Sequence, residues 1–209
     1  MSAPRLDHLV YATPDLDASV NDLEARLGVR ASPGGRHPGL GTRNALLALG
    51  EDSYLEVIGP DPDQPGVAAP RPFGIDALRE GRLATWAVKE RDLEARIDAA
   101  RSAGFDAGRI LPMSRETPDA GELRWRLTLR RTPAGDGLVP FLIDWGETPS
   151  PARGAASGCS IAGLRAEHPD PPSVARDLAA LEVDLSVTRG PAPALIARLD
   201  TPNGPLDLR

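Results

Sequence analysis

Several residue types are scarce in this 209-residue chain, and each scarcity excludes a class of protein. The single cysteine, Cys159, excludes an internal disulfide, so we expect a reducing, cytoplasmic location. Lys89 is the only lysine and the net charge is −6, which argues against nucleic acid as a partner. Apolar runs are too short for a membrane span or a secretory signal, so we expect no membrane partner.

What the chain does have is a pattern that occurs three times. Each unit opens with a short β-like run, then a turn, an aspartate and an amphipathic helix pattern, followed by further β-like runs. The aspartates are Asp15, Asp92 and Asp170, at nearly equal spacings. Each lies where its carboxylate would accept hydrogen bonds from the first turn of a helix. The pattern predicts an α+β fold built from repeated β-α-β-β-β modules.

Two histidines and one glutamate stand out in the first unit. His8 lies on the apolar face of the first strand, where the alternative is a hydrogen-bonded core residue. Glu56, in the run Tyr-Leu-Glu-Val-Ile, would bury a carboxylate at a high cost in free energy unless it is paired, hydrogen-bonded or metal-bound. His37 lies in a glycine-rich segment that we expect to be a loop, whose glycines would otherwise serve only a tight connection.

The repeat, the opening DHLVYATPDLDASV and the segment GGRHPGLGTRN resemble the glyoxalase-like domains of the vicinal oxygen chelate superfamily. That superfamily includes glyoxalase I, extradiol dioxygenases and bleomycin-resistance proteins. The resemblance implies that two modules pair so that their curved sheets enclose a cleft. It also implies metal ligands on the first and last strands of each module, which here gives His8 and Glu56 in the first. Thr85 and Ile143 take the equivalent positions in the second and offer no convincing ligand.

A three-residue ligand set remains available if His37 joins His8 and Glu56. Two imidazoles and a carboxylate suit a divalent metal such as Zn, Fe, Mn or Ni. Without a metal, Glu56 or His37 would serve as the catalytic base, because each can titrate near neutrality in a desolvated site. We therefore treat His8, His37 and Glu56 as candidate metal ligands, and Glu56 and His37 as candidate catalytic residues.

Four further residues are candidates for substrate binding. Arg43 and Asn44 flank the glycine-rich segment and would hold an anionic group, the alternative being a solvated hairpin. Trp86 and Trp145 are expected on strands of the second module that border the cleft, where they would cover an apolar ligand or fill core volume.

These features predict a domain at 1–148, with modules at about 5–60 and 82–146, and a third module at 158–209. The expected function is the binding of a small oxygenated molecule in the cleft, with metal-dependent lyase, isomerase or dioxygenase activity. The alternative is a non-catalytic small-molecule binder of the resistance type. An odd number of modules leaves one unpaired, so we expect the third to pack on the barrel or to form a homodimer.

Overall fold

A computed structural model describes residues 5–67, 70–117, 121–130 and 132–209. In it the predicted α+β class and the threefold repeat are confirmed, because the elements occur as three successive β-α-β-β-β units. The first unit consists of β1 (Leu6–Ala12), α1 (Leu16–Leu27), β2 (Ser32–His37), β3 (Thr42–Ala48) and β4 (Tyr54–Pro60). The second consists of β5 (Arg82–Lys89), α2 (Leu93–Ser102), β6 (Arg109–Thr117), β7 (Gly121–Leu129) and β8 (Phe141–Asp144). The third consists of β9 (Ser160–His168), α3 (Pro171–Ala180), β10 (Ser186–Arg189), β11 (Ala194–Asp200) and β12 (Leu206–Leu208).

The first two units close into one barrel, with the strand order β1-β4-β3-β2-β6-β7-β8-β5. Within each unit the first and last strands run parallel, which sets Tyr54 beside His8 and Phe141 beside Ala87. The two units join through antiparallel pairs, β1 with β5 and β2 with β6. This arrangement brings the first strand, which carries His8, next to the last strand, which carries Glu56.

The glycine-rich segment differs from its prediction. Residues 34 to 37 form part of strand β2 and not a loop, with a register irregularity between Pro33 and Gly35. Glycine is normally depleted in strands, and here it is required by close packing. A Cβ on Gly34 would lie 2.1 Å from Oδ1 of Asn44, which is closer than any side chain permits.

The aspartates at the helix starts behave as predicted in two of three units. Asp15 and Asp92 accept hydrogen bonds from the backbone N–H groups of Ala18 and Ala95. Asp170 is also the residue before its helix, but its side chain caps nothing. Two prolines open that helix, and because proline has no N–H group there are fewer donors to satisfy.

The third unit forms a separate four-stranded sheet, in the order β10-β9-β11-β12, and packs against the barrel. A single apolar core joins the two, since Leu9 and Trp86 of the barrel belong to the same buried cluster as Leu195 and Leu199. Backbone hydrogen bonds continue across the junction, from Ile161 N–H to the carbonyl oxygen of Leu49. Among the described residues, no helix combines the length and apolar character needed to cross a membrane.

Candidate functional site

The barrel contains a cavity of about 170 Å³ with a mainly apolar wall. A cavity of roughly 150 Å³ is enough to hold a benzene ring, so this one suits a small molecule of about that size. Its polar residues gather on strands β1 to β4 and β6, and they are His8, His37, Asn44, Glu56 and Arg115. Its apolar lining comes from both units and includes Ile58, Phe73, Leu111, Met113, Trp125, Leu127, Phe141 and Ile143.

Glu56 lies between the two cavity histidines. Its Oε2 is 3.8 Å from Nε2 of His8, and its Oε1 is 3.8 Å from Nε2 of His37. Both distances exceed that of a hydrogen bond. Oε1 accepts a short bond of 2.5 Å from Nδ2 of Asn44. Among the described residues, Oε2 has no such donor, so this oxygen is available to a ligand.

His8 is held in a fixed orientation by its neighbours. Its Nδ1 lies 2.6 Å from Oδ1 of Asp7, which is fully buried and also accepts a hydrogen bond of 3.0 Å from Nε1 of Trp145. Because an ionised carboxylate only accepts hydrogen bonds, Nδ1 of His8 is the donor. Tyr54 stacks on the imidazole ring, with the centroids 4.7 Å apart. In the neutral imidazole, Nε2 is therefore an acceptor that faces the free oxygen of Glu56.

Asn44 links Glu56 to a buried arginine. Its Oδ1 accepts hydrogen bonds from the Gly35 N–H at 2.9 Å and from Nη1 of Arg115 at 3.1 Å. Two donors on one side of the amide and a carboxylate on the other fix its orientation. Asn44 thus lines the cavity with its polar atoms engaged by protein groups, and its role in substrate binding stays a prediction.

His37 is neutral at physiological pH. Burial lowers the pKa of its imidazole below the ordinary 6.5, and the positive charge of Arg115 lowers it further, while Glu56 opposes both effects. Its Nδ1 lies 3.0 Å from Oγ1 of Thr42, within hydrogen-bonding distance. A buried neutral imidazole beside a carboxylate favours a role as hydrogen-bond acceptor or base.

A metal ion bound by His8, His37 and Glu56 would need all three to surround one point. In the described ranges, no group of three or more His, Cys, Asp or Glu side chains is so arranged. Glu56 instead presents a different oxygen to each imidazole. In this arrangement the three side chains do not fit around a divalent metal ion. The expectation that the protein binds Zn, Fe, Mn or Ni therefore gains no support from the geometry and stays a prediction.

Two predicted substrate-binding residues lie away from the cavity, and the predictions for them are corrected. Arg43 alternates with Asn44 on β3, so it points to the outside of the barrel and donates to Oδ2 of Asp17 at 2.7 Å. Trp86 pairs with Leu9 on the helix-covered face of the sheet, where it is fully buried and donates to the carbonyl oxygen of Leu138. Trp145 does line the cavity.

Two important cavity residues were not predicted. Arg115 extends the alternation of Leu111 and Met113 on β6, but nothing local shows that this strand closes the barrel beside β2. Phe73 belongs to a short 3₁₀ segment, Pro72–Ala77, and has a positive φ of 59°. That strained backbone places an aromatic ring over the cavity, and such strain is common at ligand sites.

Comparisons with known proteins give one family match and several similar solved structures. The family model for a glyoxalase-like domain matches residues 6–182. A hypothetical protein from Staphylococcus aureus has a similar structure, with a TM-score of 0.64 and 17% identity over 97% of this chain and 83% of that one. A Streptomyces coelicolor methylmalonyl-CoA epimerase, solved with 2-nitronate-propionyl-CoA, has a TM-score of 0.44 and 23% identity over 72% of this chain and 100% of that one. The epimerase from Mycobacterium tuberculosis has a TM-score of 0.41 and 21% identity over 66% and 86% of the two chains.

No curated protein matches the chain. The family match covers most of the sequence and confirms the resemblance drawn from the repeat and the opening segment. The chain belongs to the family of proteins with a glyoxalase-like domain.

Proposed function

We propose that this protein binds a small molecule with an apolar body in the barrel cavity, and that Glu56 accepts a proton from it. The observation that carries the proposal is the free Oε2 of Glu56, which faces Nε2 of His8 across 3.8 Å at the cavity wall. A carboxylate oxygen only accepts hydrogen bonds, so this free oxygen favours a ligand with a donor, such as a hydroxyl group or an acidic C–H. The aromatic and aliphatic lining suits the rest of such a ligand.

The chemistry supported best is proton transfer without a metal, as in an isomerase or lyase. A proton leaves an acidic C–H of the ligand for Oε2, which converts the carboxylate to a carboxylic acid and the ligand to its enolate. Return of that proton to another position of the ligand restores Glu56 and completes an isomerisation. Asn44 holds the carboxylate in place during this exchange, and the apolar wall keeps water from the enolate.

Ligand binding is tested with two one-ring probes that differ in a hydrogen-bond donor, benzyl alcohol and toluene. Trp125 and Trp145 line the cavity, so tryptophan fluorescence reports occupancy. We expect benzyl alcohol to bind more tightly than toluene, and Glu56→Gln to reduce that preference about tenfold. Glu51→Gln, an exposed glutamate in the turn before β4, is the matched control. The binding proposal is wrong if neither probe binds, or if the preference is unchanged in Glu56→Gln.

Proton transfer is tested with phenylacetone, a one-ring ketone with acidic C–H groups. In D₂O, we expect the protein to exchange these hydrogens for deuterium, and Glu56→Gln to lose the exchange while Glu51→Gln keeps it. Proton NMR follows the loss of the signal.

A non-catalytic binding role is the second candidate function. It is favoured by the short bond from Asn44, which engages Oε1 of Glu56 and holds the carboxylate as a fixed hydrogen-bond acceptor for a ligand. Binding of phenylacetone without any exchange above the solvent rate would support this second candidate and contradict proton transfer.

A further inference from the structure

Arg115 is the least satisfied charge at the cavity. The residue is only 4% exposed, yet within the part of the chain that the structure describes its guanidinium makes a single hydrogen bond, from Nη1 to Asn44. Its Nε is buried and has no partner among the described residues. None of the described carboxylates lies within ion-pair distance of it. A guanidinium has five N–H donors, and burying one with so few partners is costly unless something else pairs with it.

The surrounding residues show that this charge acts inside the cavity. Arg115 lines the cavity wall together with His37 and Tyr54. Its positive charge lowers the pKa of the His37 imidazole and opposes the rise in the pKa of Tyr54 that burial causes. Glu56 does not neutralise it directly, because Asn44 lies between the two and bonds to each.

The packing around Arg115 is also built to hold it there. A Cβ on Gly34 would lie 2.9 Å from Nη1 of Arg115 as well as 2.1 Å from Asn44, so glycine is needed for both side chains to fit. The guanidinium is therefore positioned by the barrel and is not a flexible surface group that happens to fold inward.

We propose that the ligand carries an anionic group, of the carboxylate class, which pairs with Arg115. A carboxylate supplies two acceptor oxygens, and the guanidinium of Arg115 has N–H donors without a partner among the described residues. Such an ion pair is strong in a water-poor site. The ligand is then an apolar carboxylic acid with its acid group at Arg115 and its acidic hydrogen or hydroxyl near Glu56. This inference rests on the proposed function, since it names the ligand class of the same cavity.

The test compares phenylacetate with phenylacetamide, which has nearly the same shape and no charge. We expect the wild-type protein to bind phenylacetate at least about tenfold more tightly, as judged by tryptophan fluorescence titration. Arg115→Gln should abolish this preference, and Arg115→Lys should keep part of it. Arg109→Gln removes an exposed arginine from the same strand, so it controls for the change in net charge.

Benzyl alcohol separates the possible failures. If it binds to Arg115→Gln as it binds to wild type, the cavity of that variant is folded and its loss of phenylacetate is due to the missing charge. Suppose that wild type binds benzyl alcohol more tightly than toluene and that Glu56→Gln reduces this preference, but that wild type binds phenylacetate no better than phenylacetamide. The anionic ligand class is then wrong and the proposed function stands. If benzyl alcohol, phenylacetate and phenylacetamide all fail to bind to wild type, both are wrong.

Discussion

At the scale of single residues, Asp7 fixes the orientation of the His8 imidazole ring at the cavity. Its buried carboxylate accepts hydrogen bonds from His8 and from Trp145, so one side chain ties a cavity histidine to a cavity tryptophan. The strand alternation of the sequence placed His8 and Glu56 on one face of neighbouring strands, and the structure brings them together. Asp7 was not predicted because strict alternation along β1 would turn it away from the His8 face. The structure has a register irregularity between Leu6 and His8 in the pairing with β5, and the Asp7 carboxylate reaches both His8 and Trp145.

Replacing Asp7 with asparagine should loosen this arrangement. The amide cannot accept from both partners with the strength of a carboxylate, so we expect Asp7→Asn to lower the free energy of unfolding by about 1–3 kcal/mol. Urea unfolding followed by circular dichroism measures it. Asp98→Asn changes an exposed carboxylate that pairs with Arg101 on the surface of α2, and it should cost under about 0.5 kcal/mol. Equal losses in both variants would contradict the role given to Asp7.

His37 is a second residue that affects stability, because its lowered pKa makes the free energy of unfolding depend on pH. The folded state lowers the pKa of His37 below 6.5, so at slightly acidic pH the unfolded chain binds a proton there that the folded chain does not. Stability from this group is complete above pH 6.5 and is lost as the pH falls from there through the lowered folded-state pKa. The slope is at most about 1.4 kcal/mol per pH unit.

The measurement is urea unfolding between pH 5 and pH 8. We expect His37→Gln to flatten the fall in stability below pH 6.5, because the glutamine does not titrate. His168→Gln, which removes the histidine of the third unit, is the matched control. An unchanged slope in His37→Gln would show that burial does not perturb His37 in the folded protein.

At the scale of elements, the glycines of β2 explain why the sequence pattern predicts a loop where the structure has a strand. Gly34 and Gly35 have low strand propensity, and their use is tertiary: they let Asn44 from β3 and Arg115 from β6 approach the backbone. Asn44 and Arg115 are 71 residues apart in sequence, so their contact depends on closure of the barrel between β2 and β6. A single sequence carries no local signal for such a pairing, which is why Arg115 was not predicted.

Gly34→Ala tests this packing. A Cβ at that position overlaps with Asn44 and crowds Arg115, so one of them must move. We expect a loss of about 1–3 kcal/mol in unfolding free energy and weaker binding of phenylacetate. Gly163→Ala, in β9, is the control because its Cβ would meet open space. Normal binding and stability in Gly34→Ala would contradict the positioning of Asn44 and Arg115 by β2.

The third unit shows how the same element pattern serves a different purpose. Residues Gly163, Arg165 and Glu167 of β9 take the places that His8, Val10 and Ala12 have on β1. Arg165 pairs with Glu167 and with Asp207, so this face of the sheet is charged and exposed. The opposite face packs on the barrel through residues such as Leu195 and Leu199. The repeat predicted a third copy of the module, and only the identity of its side chains shows that this face is charged and exposed. The homodimer stays a prediction.

At the scale of the whole molecule, the two sheets share one core. From the repeat, we propose a domain division between residues 148 and 158. Because one apolar cluster continues across this division, the barrel depends on the third sheet to cover part of its core. A protein shortened to end at Ser157 exposes the barrel side chains that the third sheet covers. We expect it to unfold at lower urea concentration than the full chain and to self-associate, as sedimentation would show. A truncated protein as stable as the full chain would mean that the barrel is an independent domain.

The central claim is that the cavity holds a ligand whose donor meets the free oxygen of Glu56. The most direct test is a crystal structure of the protein with benzyl alcohol. We predict the ring inside the barrel, against Phe141 and Trp145, and the hydroxyl oxygen within hydrogen-bonding distance of Oε2 of Glu56. A ring bound elsewhere, or a hydroxyl group that turns away from Glu56 toward solvent, would contradict the account.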